Sequence, residues 1–409
     1  MQTRDGRTRL EGLLRQGERV FMGGSAGEVI PLTDALAAGR LPPFELITSL
    51  VPGVNPAPAG LPPGMQLTNP FPLGPVGRHL PLSYGGYCNW LAGQRFDTCV
   101  VQVAPPRRGR MASLGVAAEF APVVLRRSAR IIAVVNEAMP DLPDAAHLDL
   151  DRAAEVIGLD FALRESAAGA PSAMAQAIAG HIARFIGNGA AVQVGLGKVP
   201  DALLARLADR RGLRIQSGMV SDSIRPLAEG GALDPRWLHT SCVQVGTAAH
   251  YGWLRGRAGF AVLGCDITHD PAVLARAGGL IAVNGAIEVD LFGQANLEMA
   301  NGRPISSVGG AADFARAATL DPAGCSIIGL PATVPGTEAS RIVARLGGVV
   351  SLPRHDVGLV VTEHGVADLR GQDAEGRAER LIAVAAPQHR ADLAAAWDRM
   401  ARPRGGRAG

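Results

Sequence analysis

Four stretches of the chain carry residue types that could do chemistry on a small molecule. In QVGLGKVPDAL (193–203), Gly195, Leu196, Gly197 and Lys198 lie between an apolar run and a helical pattern. Exposed N–H groups at such a turn, with a lysine beside them, suit a phosphate or a pantetheine amide; close packing is the competing explanation. The third glycine of a dinucleotide fingerprint is missing, and no carboxylate stands where a ribose would need it, which argues against NAD. In NGAIEVDLFGQANLEMANGRPISSVGGAADFARAA (284–318), Glu288 and Asp290 at i and i+2 face one side of a strand. Paired acids can exchange protons, although solvated or arginine-paired acids are commoner. Farther on, Ser307, Gly309 and Gly310 precede a helical segment, and successive N–H groups in such a turn can hold a developing oxyanion. QVAPPRRGRMASLG (102–115) sets a serine beside a glycine after a Pro-Pro break, and VVTEHGVADLRG (360–371) offers His364 at a strand end. A lone histidine there is either catalytic or structural.

These residues need elements to hold them. GERVFMGGSAGEVIPLTDALAAGRL (17–41) and GAAVQVGLGKVPDALLARLADRRGL (189–213) both read as a short strand, a glycine-containing turn and a helix with a proline near its start. Their recurrence predicts two related α/β domains, residues 1–170 and 171–409, with a seam in ESAAGAPSAMAQ (165–176). Further strands are expected at 98–103, 129–135, 325–330 and 357–363, and helices at 171–186 and 376–386. Such alternation predicts parallel sheets covered on both faces, with ligands at the carboxyl ends of the strands.

The bulk composition narrows the class. The chain has 409 residues, 47% of them hydrophobic and 19% charged, with a net charge of +3. A length of this order suits two cores of about 150–200 residues. With 4% aromatic residues and scattered arginines, nucleic-acid binding is not expected. No apolar run reaches the roughly 18 residues of a membrane span, and the first twenty residues lack a signal peptide's apolar core. A cytoplasmic protein is expected. Cys88, Cys99, Cys242, Cys265 and Cys325 are well separated in sequence, so buried reduced thiols are expected rather than disulfides or a metal site.

Taken together, APPRRGRMASLG, QVGLGKVPDAL, AIEVDLFGQAN, VGGAADFARAA and VVTEHGVADLRG resemble the acetyl-CoA hydrolase/transferase family in content and order. This family of class I CoA-transferases includes the 4-hydroxybutyrate and butyryl-CoA:acetate enzymes. The resemblance runs from GGSAGEVIP to LIAVAAPQHRADL. It implies two similar open α/β domains of the CoA-transferase type with the active site between them. It also implies acyl-CoA as substrate, no permanently bound cofactor, no metal, a small-molecule acceptor, and a homodimer or higher homo-oligomer. Gly195–Lys198 and Gly309–Gly310 would contact coenzyme A. Ser307, where the family has glycine, would line the oxyanion loop with Gly309 and Gly310. Tyr84 and Cys88 in PLSYGGYCNWL (81–91) would face the acyl or acceptor pocket.

The family chemistry uses a glutamate that attacks the acyl-CoA carbonyl and then carries CoA as a glutamyl thioester. Its motif reads roughly hydrophobic-His-Thr-Glu-Met-x-Ser-Asp-Gly, whereas this chain reads IQSGMVSDS. Met219, Ser221 and Asp222 keep their places, and the glutamate position falls on Gly218. Glycine can form neither an anhydride nor a thioester, and its lack of a side chain opens space beside the carbonyl. Three readings follow: hydrolysis or direct acyl transfer to a nonstandard acceptor, conventional CoA transfer by another acid such as Glu288, or CoA binding without catalysis. Ser217, Ser221, Asp222, Tyr84, Cys88 and His364 are the candidates to replace the glutamate.

Overall fold

The computed structural model describes residues 2–401 apart from 108 and 168. Arg108 of QVAPPRRGRMASLG and Ala168 of the expected seam therefore lie outside the described residues. Two sheets organise the chain. The first contains β1 (Arg19–Met22), β2 (Glu45–Thr48), β3 (Gln66–Asn69), β4 (Arg78–His79), β5 (Phe96–Val103), β6 (Ser128–Val135) and β7 (Glu155–Gly158). Its strand order is 4-3-2-1-5-6-7, and every pairing is parallel. Val100 and Ile132 are fully buried at the centre, as expected for strands covered on both faces.

The second sheet contains β8 (Ala191–Val194), β9 (Arg214–Ile215), β10 (Leu280–Asn284), β11 (Cys325–Gly329), β12 (Leu359–Thr362) and β13 (Gly365–Asp368), in the order 9-8-10-11-12-13. All pairs are parallel except β12–β13. That exception departs from the parallel expectation. Two residues, Glu363 and His364, join β12 to β13, and a connection this short can only form a hairpin.

The two strand–turn–helix units occupy matching places. β1 lies between β2 and β5 and leads to a helix at Ile30–Ala37; β8 lies between β9 and β10 and leads to a helix at Lys198–Arg206. Ser172 caps the helix Ala173–Ile182, which turns Ile178, Ala179 and Ile182 inward. One buried cluster continues from Phe21 and Ile47 through Tyr84 and Phe120 to Val194 and Ile281. The apolar core therefore bridges the two sheets.

Candidate functional site

A cleft of about 270 Å³ opens at the carboxyl ends of β8 and β10, where Val194–Gly195 and Asn284–Gly285 leave the sheet. Its floor includes Gln193 and Asn284, whose amides exchange two hydrogen bonds of 3.3 and 3.2 Å across the strands. Phe71 and Tyr84 come from the first half of the chain, and Gly218, His269, Ser307, Gly309 and Gly310 from the second. The cleft thus brings together Tyr84, Gly195, Leu196, Gly218, Ser307, Gly309 and Gly310 from the sequence expectation.

The glycine turn is held by its backbone. Gly309 has φ +55°, a left-handed conformation that glycine adopts without penalty. Gly310 then enters the helix Ala311–Leu320 at φ −87°. The N–H of Tyr84 donates to Gly309 O at 2.9 Å. Asp313, in the first turn of that helix, accepts from Ser83 Oγ at 2.9 Å and Gly85 N at 3.0 Å. These three bonds tie the Tyr84–Ala92 helix of the first half to the glycine turn of the second.

Three residues that line the cleft each carry a buried polar atom with no hydrogen-bond partner within the protein: Tyr84 Oη, Ser307 Oγ and His269 Nε2. Each belongs to a buried residue, and buried polar groups are normally paired. Such a grouping suits a bound polar molecule. Burial also raises the Tyr84 phenol well above its usual range, so its hydroxyl keeps the proton and can donate. Burial lowers the His269 imidazole to about 3, so the ring is neutral at ordinary pH.

Gly218 lies in the bend between β9 and the two-residue strand Met219–Val220. Its carbonyl accepts from Cys242 N at 2.7 Å and Val243 N at 3.2 Å. A Cβ built at this position would stand 3.1 Å from His269 Nε2 and 3.4 Å from Phe314 Cε2. The imidazole therefore flanks the place that a side chain at residue 218 would enter.

Several expected residues lie elsewhere. His364 does not line the cleft; it caps the β12–β13 hairpin, with Nε2 3.7 Å from Glu363 Oε1. The chain reverses before this side chain can reach the ends of β8 and β10. Gly197 and Lys198 are exposed beyond Gly195 and Leu196, on the rim rather than the wall. Gly197 has φ +125° and caps the helix that begins at Lys198. Glu288 accepts from Gly347 N at 2.8 Å and Asn296 Nδ2 at 3.0 Å. Asp290 accepts from Phe292 N, Gln294 N and Gln294 Nε2. Both acids therefore organise loops. Ser217 bonds to the carbonyls of Val194 and Met219, Ser221 to Asp201, and Asp222 to Thr247. Among the described residues, no carboxylate lines the cleft.

His269 was missed by sequence reasoning. Its only signal was a histidine one helical turn after Cys265 and just before Asp270-Pro271 in CDITHDP. Cys242, Cys265 and His269 bring three ligand-type atoms within 4.8 Å of one another, although the cysteines are distant in sequence. Burial raises both thiols, so they are protonated packing groups here.

Comparisons with known proteins identify the family. Residues 246–397 match the model for the acetyl-CoA hydrolase/transferase C-terminal domain. The 4-hydroxybutyrate coenzyme A transferase of Clostridium kluyveri is 30% identical over 305 residues, 73% of this chain and 71% of that protein. The chain belongs to the acetyl-CoA hydrolase/transferase family. Butyryl-CoA:acetate CoA-transferase of Anaerostipes caccae is 30% identical over 328 residues, covering 76% of this chain and 73% of the relative. The crystal structure of 4-hydroxybutyrate CoA-transferase from Porphyromonas gingivalis superposes with a TM-score of 0.82 at 24% identity, over 97% of both chains. The fold is thus that of the CoA-transferases, with two α/β domains. Family membership makes this chain an enzyme of the acyl-CoA transferase/hydrolase type. Among the described residues, no helix is long and apolar enough to cross a membrane.

Proposed function

We propose that this family member breaks an acyl-CoA thioester without a glutamyl-CoA intermediate, passing the acyl group to water or to a hydroxyl or amine acceptor. The observation that carries this reading is a cleft with unpartnered hydrogen-bonding groups around Gly218 and no carboxylate on its wall among the described residues. Family chemistry needs a carboxylate that reaches the carbonyl carbon. Glu288, the alternative acid, is occupied by Gly347 and Asn296, which disfavours conventional transfer by that residue.

In this reading the thioester carbonyl points its oxygen at the N–H groups of Gly309 and Gly310, with the Tyr84 and Ser307 hydroxyls as further donors. Such preorganised donors stabilise the oxyanion of a tetrahedral intermediate. The pantetheine arm leaves past Gly195 and Leu196, with its phosphates toward Gly197 and Lys198 on the rim. A volume of about 270 Å³ suits a short acyl end, the nucleotide staying outside. The five free, buried thiols suit a reducing cytoplasm, and a homodimer or higher homo-oligomer accompanies the reading.

Steady-state kinetics test it. CoA release from acetyl-, propionyl- or butyryl-CoA is expected without any added carboxylate, and acetate should leave the rate unchanged. An absolute requirement for acetate, with the parallel lines of a ping-pong mechanism, would identify a conventional transferase. Tight CoA-ester binding with no turnover and no effect of water, amine or alcohol acceptors would identify a binding protein.

A further inference from the structure

We propose that His269 is the general base of this cleft and takes over, by proton transfer, the task that a carboxylate at residue 218 would perform by covalent attack. The inference rests on the reading that the thioester is broken without a glutamyl-CoA intermediate. His269 is 2% exposed and lines the cleft, and its buried Nε2 has no protein partner. The same nitrogen is 3.1 Å from the Cβ that any residue other than glycine would carry at position 218. A nucleophile occupying that space would therefore touch Nε2.

The neighbours of the ring accommodate the tautomer that a base needs. Nδ1 lies 2.9 Å from Thr268 Oγ1, and Thr268 Oγ1 in turn donates to Gly264 O at 3.3 Å. In the tautomer that the base requires, the threonine hydrogen goes to that carbonyl and its oxygen accepts from Nδ1–H. The lone pair is then on Nε2, beside Gly218 and Gly310 of the cleft wall. The ring packs against Phe314 and Tyr84, with centroids 4.9 and 5.1 Å apart. It is held in orientation, as a base must be before the nucleophile arrives.

The step balances with water as acceptor. Nε2 takes one water proton as the water oxygen bonds to the carbonyl carbon, and the carbonyl π pair moves onto oxygen beside the Gly309–Gly310 turn. The intermediate collapses, the C–S bond breaks with its electron pair going to sulfur, and the imidazolium returns its proton to the CoA thiolate. An amine or alcohol follows the same course, with N or O replacing the water oxygen. Burial keeps Nε2 unprotonated at rest. The same low-dielectric surroundings strengthen the attraction between the imidazolium and the oxyanion that form together.

The test compares His269→Gln and His269→Ala with the wild-type chain, monitoring CoA release, CoA-ester affinity and thermal unfolding. Both variants are expected to lose on the order of a hundredfold or more in rate, with affinity changed only a few-fold. Excess imidazole is expected to restore part of the His269→Ala rate. A wild-type rate in His269→Gln, an acyl adduct on His269, or loss of wild-type activity to 1,10-phenanthroline with recovery on adding zinc would each overturn the assignment. In all three cases the reading without a glutamyl-CoA intermediate would stand. If the wild type releases CoA only through a CoA-bearing carboxylate, the underlying reading fails instead.

Discussion

Gly310→Ala is expected to lower the rate of CoA release by on the order of a hundredfold while the protein stays folded. Backbone strain plays no part, because Gly310 has φ −87°, which alanine adopts freely. The new methyl group would instead collide with His269 Nε2, and it would lie 2.7 Å from His269 Cδ2 and 3.3 Å from Phe314 Cε2. Phe314 is 1% exposed within the packed helix, so the imidazole has to turn. Turning it breaks the bond to Thr268 and takes Nε2 away from the space beside Gly218. Initial rates with a short acyl-CoA, alongside a thermal melt, check this. A wild-type rate would show that the position of the ring does not matter to the chemistry.

Gly218→Glu is expected to leave the protein without acetate-dependent CoA transfer, although it restores the family's side chain. Gly218 lies outside the positive-φ region, so its backbone accepts a glutamate. The obstacle is space, since the added Cβ meets His269 Nε2 at 3.1 Å and Cε1 at 3.3 Å. Forcing atoms into a packed site typically costs about 1–3 kcal/mol, so the single variant should also unfold at lower denaturant concentration. Combining it with His269→Ala removes the obstacle and is expected to produce measurable CoA transfer to acetate. Transfer at a high rate in the single variant would contradict the account, because it would mean that the imidazole yields easily.

Much of the architecture was legible in the residues. β-Branched runs such as TCVVQV and ARIIAVV became the strands β5 and β6, because a strand buried on both faces is mostly apolar and pairs what polar groups it has, as Gln102 does with the Ala26 and Glu28 carbonyls. The paired glycine turns were also legible, since Gly309 and Gly197 sit at φ values that other residues rarely adopt. The function of single polar residues was less legible. His364 carried a suggestive setting, but the two-residue hairpin turns it away from the cleft. Glu288 and Asp290 do share a strand at Glu288–Asp290, yet Gly347 N and Asn296 Nδ2 occupy the first carboxylate, and Phe292 N and Gln294 of the following turn occupy the second. His269 became visible only when the fold brought residues 218, 269 and 310 together. No spacing rule links those three positions, because their contact depends on how the bend at Gly218 and the turn at Gly309–Gly310 approach the Cys265–Thr268 helix.

Enzymes that use a carboxylate nucleophile and those that bring water to a thioester share the need for oxyanion donors. They differ in whether the protein itself becomes bonded to CoA. Mass spectrometry of the protein quenched during turnover of an acyl-CoA reads that difference directly, with the peptide covering residues 212–224 and every acidic peptide searched for a CoA adduct. Free CoA accumulating with no adduct on any glutamate or aspartate is the predicted result. A CoA thioester on a carboxylate, formed and consumed at the rate of turnover, would contradict the account.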